Sequence, residues 1–138
     1  MRKGSRSKHT EETGLSESTN RRHIRRKDLR SLLTDRIWNI RSKCRRVKRE
    51  CDIDVDWAYE QLVSTGFICA VTGIPLALDQ GREHPWSLSF DRIDNSRGYT
   101  KDNVQIVCMM YNLCKYRYNS SDVLEMAHAL IRKHPHAI

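Results

Sequence analysis

The sequence predicts an α+β fold, and three observations carry that prediction. Apolar residues recur at helical spacing in the first third, two short β-rich runs flank a polar loop near residue 95, and helix start and stop residues bracket the neighbouring segments. At 138 residues the chain suits one domain with an extension.

Residues 1–20 are rich in Ser, Thr, Glu and Lys with little apolar content, which predicts a disordered tail. From Asp28, a plausible N-cap, the residues Leu29, Leu33, Ile37, Ile40, Cys44, Val47 and Cys51 form one stripe. A helical arm over 21–51 is therefore expected. "DVDWAYEQLVSTG" predicts a second helix, capped by Asp54 and stopped by Gly66, with Val55, Ala58, Leu62 and Val63 facing inward. "FICAVTGIPLAL" reads as a short strand and turn, broken by Gly73 and Pro75. "WSLSF" and "VQIVC" are expected to pair as strands, "MMYNLCKYRY" to turn helical, and Ser121 or Asp122 to cap a last helix carrying Val123, Leu124, Ala127, Leu130 and Ile131. Residues 52–138 form the expected body.

The charge is unevenly placed. Residues 1–51 hold 17 of the 25 Lys and Arg against 6 acids, and residues 52–138 hold 8 against 11. All the basic excess lies in the first third of the chain, which suggests a polyanion-binding segment attached to a differently tasked body; a solubilising tail is the plainer alternative. The basic face of the first helix predicts DNA-backbone contacts from Arg41, Arg45, Arg46, Lys48 and Arg49. No apolar run approaches the ~20 residues of a membrane span, and no apolar segment follows the basic N-terminus, so a cytoplasmic protein is expected. The five cysteines are odd in number, and "CAVT" and "CMMY" each hold only half of a Cys-x-x-Cys knuckle. A disulfide framework and structural zinc are both disfavoured, and the cysteines read as small buried apolar residues.

Strand, polar loop, strand and helix in succession place Asp91 at a strand end and Asn112 on the next helix, 21 residues on. A helix laid across a hairpin brings two such residues together. A carboxylate with an amide carbonyl is an all-oxygen pair suited to a hard cation such as Mg²⁺, with Mn²⁺ as a substitute. Such a cation, with positions left for phosphate oxygens, is what metal-assisted phosphodiester cleavage requires. Asn103 closes the loop through backbone bonds, Gly98 permits a turn that other residues resist, and Lys115 and Arg117 follow the helix as phosphate contacts.

The run "SLSFDRIDNSRGYTKDNVQIVCMMYNLCK", led by "CAVTGIPL", resembles the HNH, or ββα-metal, nuclease motif in its phage and mobile-element branch. The resemblance covers about residues 67–117. It implies a ββα-metal core with flanking helices, a metal-dependent DNA endonuclease, and a phage or mobile-element source acting in the host cytoplasm. It implies further that Asp91 and Asn112 are the metal ligands and that Asn103 braces the loop. Arg92 stands where the motif's first histidine, usually the general base, is expected. Arginine cannot accept a proton at neutral pH. Some restriction enzymes of the family share this arginine with a tyrosine placed as Tyr99 is, which makes Tyr99 a candidate base or nucleophile. His84, seven residues before Asp91, is the alternative base. A packing role in the loop is the plain alternative for Tyr99, Asp94 reads as a loop-bonding Asx residue, and His128 as a surface group. Two rival readings stand beside the nuclease: a DNA-binding protein that keeps the fold without catalysis, favoured by Arg92, and a ribonuclease, since a basic helix does not distinguish the polymers. A homo-oligomer would suit cutting both strands of a palindrome, but no dimer surface is evident in the sequence.

Overall fold

The computed structural model describes residues 25–137, so the expected disordered tail over 1–20 lies outside the described residues. Among those described, four helices and two strands follow in the order α1 (Arg26–Val47), α2 (Val55–Thr65), β1 (Leu88–Arg92), β2 (Val104–Cys108), α3 (Met109–Lys115) and α4 (Ser120–Lys133). The fold is α+β, with a small two-stranded antiparallel sheet. No described helix is long and apolar enough to cross a membrane.

Helix α1 begins two residues before Asp28. Arg25 takes the N-cap position, and Asp28 lies in the first turn, where Arg25 Nε donates to its carboxylate at 3.0 Å. The helix stops at Val47 because Lys48 turns left-handed (φ 55°) and Arg49 N–H returns to Cys44 O at 2.8 Å. Cys51 is therefore off the helix, and its neighbours serve a different purpose. Tyr99 N–H donates to Glu50 O, and Asp52 N–H donates to Tyr99 O. These bonds stitch the end of the arm to the polar loop.

Leu29, Leu33 and Ile37 of α1 share one core with Leu62 of α2, Leu88 and Phe90 of β1, Val107 of β2 and Tyr111 of α3. Arg36, buried on the same helix, donates to Leu88 O and Ser87 Oγ at 3.3 Å each. The expected boundary between residues 51 and 52 therefore falls inside a continuous packing unit. Burying the stripe from Leu29 to Ile37 is what makes α1 part of the body rather than an appended arm.

Helix α2 carries the expected caps: Asp54 Oδ1 accepts from Trp57 N at 2.8 Å, and Gly66 ends the helix at φ 73°. Ala58 and Leu62, one turn apart, face inward, whereas Val63, expected inside, is half exposed because it lies a further 100° or so round the helix. Residues 67–76 form a tight turn rather than a strand, closed by Cys69 N–H to Ile74 O and Leu76 N–H to Phe67 O, with Gly73 at φ 70°. Strands β1 and β2 pair with Asp91 opposite Gln105 and Leu88 opposite Cys108. Helix α3 follows β2 without a loop. Helix α4 starts after Asn119, not after Ser121 or Asp122; Asp122 instead accepts from Asn119 N–H at 2.9 Å, reaching back over the first turn. Of the cysteines, Cys44, Cys69 and Cys108 are buried, Cys51 is half-buried, and Cys114 is exposed.

Candidate functional site

The loop between the strands is built from the inside. Asn103, fully buried, donates through Nδ2 to Asp94 O at 3.0 Å and Gly98 O at 2.9 Å, and its Oδ1 accepts from Asp94 N at 2.9 Å. This is the brace expected of it. Asp94 accepts from the N–H and hydroxyl of Ser96, an Asx arrangement, and these bonds hold its carboxyl below the ordinary carboxylate range. Arg92 is also a brace. Its Nη1 donates to Asn95 O and Arg97 O at 2.8 Å each, and its guanidinium lies 5.3 Å from the centre of the Tyr99 ring. Gly98 has a different reason for being glycine from the one expected. Its φ is not left-handed; a Cβ there would lie 2.2 Å from Glu50 O, so the close approach of α1's trailing segment requires the missing side chain.

Helix α3 lies across β1, and two of its residues reach that strand. Asn112 Nδ2 donates to Ser89 Oγ at 2.6 Å and to Phe90 O at 3.3 Å, which leaves Oδ1 as the atom open to a ligand. One turn on, Lys115 Nζ donates to Asp91 Oδ1 at 2.8 Å and to the carbonyls of Arg92 and Ile93. Gln105, opposite Asp91 in the sheet, donates to the other carboxylate oxygen at 2.9 Å. Asp91 and Lys115 are each almost wholly inaccessible, at 2% and 1%. The expectation that Lys115 meets phosphate is thus corrected: it is a buried counter-ion, because α3 turns its fourth and seventh residues onto β1.

These contacts bear on the expected cation. Asp91, Asn112 and the carbonyls at the end of β1 offer hard oxygen donors of the kind Mg²⁺ prefers. The seat beside Asp91 is already one for positive charge, since the Lys115 ammonium sits among those oxygens. The donor set fits a divalent cation, provided that Asp91 turns from Lys115 to meet it. Among the described residues no group of three or more His, Cys, Asp or Glu side chains is arranged to hold a metal.

Beside Asn112 opens a cleft of about 250 Å³, lined by Arg36, Asn39, Ile40, Lys43, Arg82, Ser89, Phe90, Tyr99, Met109 and Asn112. Three of its side chains are cationic and none is acidic. Burial, and then the neighbouring Arg82 charge, hold the Arg36 guanidinium below its ordinary value, so two like charges crowd one wall. Such a wall attracts an anion. Arg36, Asn39, Ile40 and Lys43 share one face of α1 at steps of three and four. Arg36 and Lys43 belong to the basic residues read from the helix in the sequence but not to the expected DNA contacts, and Asn39 and Arg82 were not singled out. The available signal was the spacing Arg36–Asn39–Lys43, masked by the greater number of cations elsewhere on the helix.

The other expected contacts lie apart from this cleft. Arg41 and Arg45 fall roughly 150° or more round α1 from it, and Arg46 lies toward its edge. Lys48 and Arg49 line a second concavity of about 450 Å³ with Ser96, Arg97 and Gly98. Arg117 is exposed beyond α3, between the Tyr116 and Tyr118 rings at 5.9 Å from each. His84 sits in the turn before β1, where its Nδ1 accepts from Trp86 N at 3.1 Å; it does not line the cleft. Tyr99 does, from the loop between β1 and β2. Asn103 and Arg92, both expected at the catalytic centre, bond the loop, Asn103 through its side-chain amide and Arg92 through Nη1.

No family model, curated protein or solved structure matches the chain.

Proposed function

We propose that the chain is a metal-dependent endonuclease of the HNH type, acting on the phosphodiester backbone of DNA. The observation that carries the reading is the cleft with three cations and no carboxylate, bordered by Asn112 and Tyr99. The run from β1 through β2 to α3 supports it, with the polar loop braced by Asn103. Arg36, Lys43 and Arg82 bind the phosphate. Asn112, fixed by Ser89 and Phe90, and Asp91 would hold the divalent cation, Mg²⁺ or Mn²⁺. When bound, the cation polarises the scissile phosphate and steadies the leaving oxygen. Tyr99 is the group in the cleft wall able to take the proton from the attacking water, or to attack directly, since Arg92 cannot and His84 is spent on its own turn.

One specific observation favours a second reading. Both carboxylate oxygens of Asp91 are engaged and Arg92 is tied to two carbonyls, which suits a nucleic-acid-binding protein without catalysis. Incubation with plasmid DNA and with RNA, with Mg²⁺ or with chelator, separates the readings. The nuclease reading requires Mg²⁺-dependent cutting of DNA. Cutting of RNA alone makes the chain a ribonuclease, and retained binding without any cutting makes it a binder.

A further inference from the structure

We propose that Lys115 is the resident cation of the seat at the end of β1, and that its ammonium keeps the free chain's affinity for a divalent cation low until the pair with Asp91 opens. The inference rests on the reading of Asp91 as a cation ligand. Lys115 Nζ meets Asp91 Oδ1 at 2.8 Å, the Arg92 carbonyl, and the Ile93 carbonyl at 3.4 Å. One carboxylate oxygen and two carbonyls gathered on one positive atom make a hard-oxygen site whose occupant is tethered to the chain. The other carboxylate oxygen accepts from Gln105 across the sheet at 2.9 Å. Oδ1 is therefore the oxygen on the side of α3, the helix that also carries Asn112, and Lys115 holds it.

Two cations cannot share that oxygen cheaply. With Mg²⁺ at its usual ~2.1 Å from Oδ1, the ammonium at 2.8 Å would stand no more than about 5 Å from it. Asp91 and Lys115 are both buried, so little water screens the repulsion. The tether has a place to give. Lys115 is the last residue of α3, a helix of seven residues. Tyr116, which follows, is exposed and turns left-handed at φ 45°, a conformation that strains a residue other than glycine. Withdrawing Lys115 needs only the last turn of α3 to move, while Asn112, one turn earlier, keeps its bonds to Ser89 and Phe90. Lys115 does not line the cleft. It acts through Asp91, as a positioning residue.

The experiment is a Mn²⁺ titration of the full chain without DNA, read by the electron paramagnetic resonance signal of the free ion and by the shift of the unfolding midpoint. Lys115→Ala leaves the three oxygens in place and opens space beside them. It should bind Mn²⁺ about tenfold or more tightly than the wild type, and Mn²⁺ should raise its midpoint by more. Asp91→Asn added to Lys115→Ala should abolish the gain. Lys115→Met, which keeps more of the packing, should show a gain of the same sign and decides the matter where Lys115→Ala is unfolded. Equal affinities in the wild type and the Lys115 variants, no Mn²⁺ binding by any of them, or a gain that survives Asp91→Asn overturns the proposal and leaves a purely structural ion pair. Cutting is a separate readout. A wild type that cuts plasmid in Mg²⁺ while the Lys115 variants gain no affinity sinks this inference alone; a gain in a chain that cuts nothing upholds it and sinks the nuclease reading.

Discussion

Asp91→Ala tests the buried pair under the site, and its size follows from burial. The substitution leaves the Lys115 ammonium, 1% exposed, with two backbone carbonyls and no counter-charge. Removing one partner of a buried ion pair costs about 3–5 kcal/mol, against a total stability of roughly 5–15 kcal/mol for a domain. At about 4 °C per kcal/mol for a chain of this size, the midpoint should fall by about 12–20 °C. Lys115→Met should cost a similar amount by leaving Asp91 bare. The double variant Asp91→Ala, Lys115→Met removes both charges and should lie about 2 kcal/mol or more closer to the wild type than the two single losses combined. Thermal and urea unfolding followed by circular dichroism measure all four proteins. Asp91→Ala within about 1 kcal/mol of wild type, or strictly additive losses, would refute the reasoning. A loss of cutting in Asp91→Ala alone therefore does not assign the residue to chemistry, because the variant is also expected to be unstable.

Four further outcomes are expected. Gly98→Ala should lose about 1–3 kcal/mol in urea unfolding, since the new Cβ meets Glu50 O at 2.2 Å. Tyr111→Phe should hold or raise the midpoint: its hydroxyl is buried without a partner, and burial and then the Asp91 charge push the phenol up, so it stays protonated and its removal relieves an unsatisfied group. Asp54 is held below the ordinary carboxylate range first by the Trp57 N–H; its stabilisation is present above the unfolded value of about 3.9 and fades as pH falls through the lower folded value. Asp54→Ala should therefore cost about 1 kcal/mol at neutral pH, with the gap closing in unfolding measured below about pH 4. Lys43→Glu with Arg82→Glu should weaken DNA binding and lower the slope of log affinity against log salt by about 0.9 per lost phosphate contact. Arg41→Glu with Arg45→Glu, on the far face of α1, should change the binding less.

Local chemistry was the most legible part of the fold. Asp54 and Gly66 bracket α2 as expected because a cap and a left-handed stop act within one turn. The pairing of "WSLSF" with "VQIVC", and the bracing role of Asn103, were likewise carried by a short span of chain. Long-range packing was not legible. The stripe on α1 could be read as a helix but not as core, since its partners Leu62, Leu88 and Phe90 lie in other elements. The same blindness hid Lys115. A lysine after a helix reads as a surface cation until the helix is laid on β1 and Asp91 is found beneath it. Gly98 was picked out for a turn, yet its cause is a carbonyl 48 residues earlier in the chain. Arg82 sits in an unremarkable loop, and only folding brings it beside Arg36.

Asn112→Ala is the most direct test of the central claim. The residue is half-buried, bonded only to Ser89 Oγ and Phe90 O, and lies outside the buried Asp91–Lys115 pair, so the variant should stay folded. The measurement is the rate of plasmid nicking or linearisation in Mg²⁺, with unfolding of the same samples as control. The nuclease account predicts cutting by the wild type, abolished by chelator, and a loss of ~10²-fold or more in Asn112→Ala with the midpoint nearly unchanged. Wild-type protein that binds DNA but cuts neither DNA nor RNA, or an Asn112→Ala variant that cuts at the wild-type rate, would contradict it.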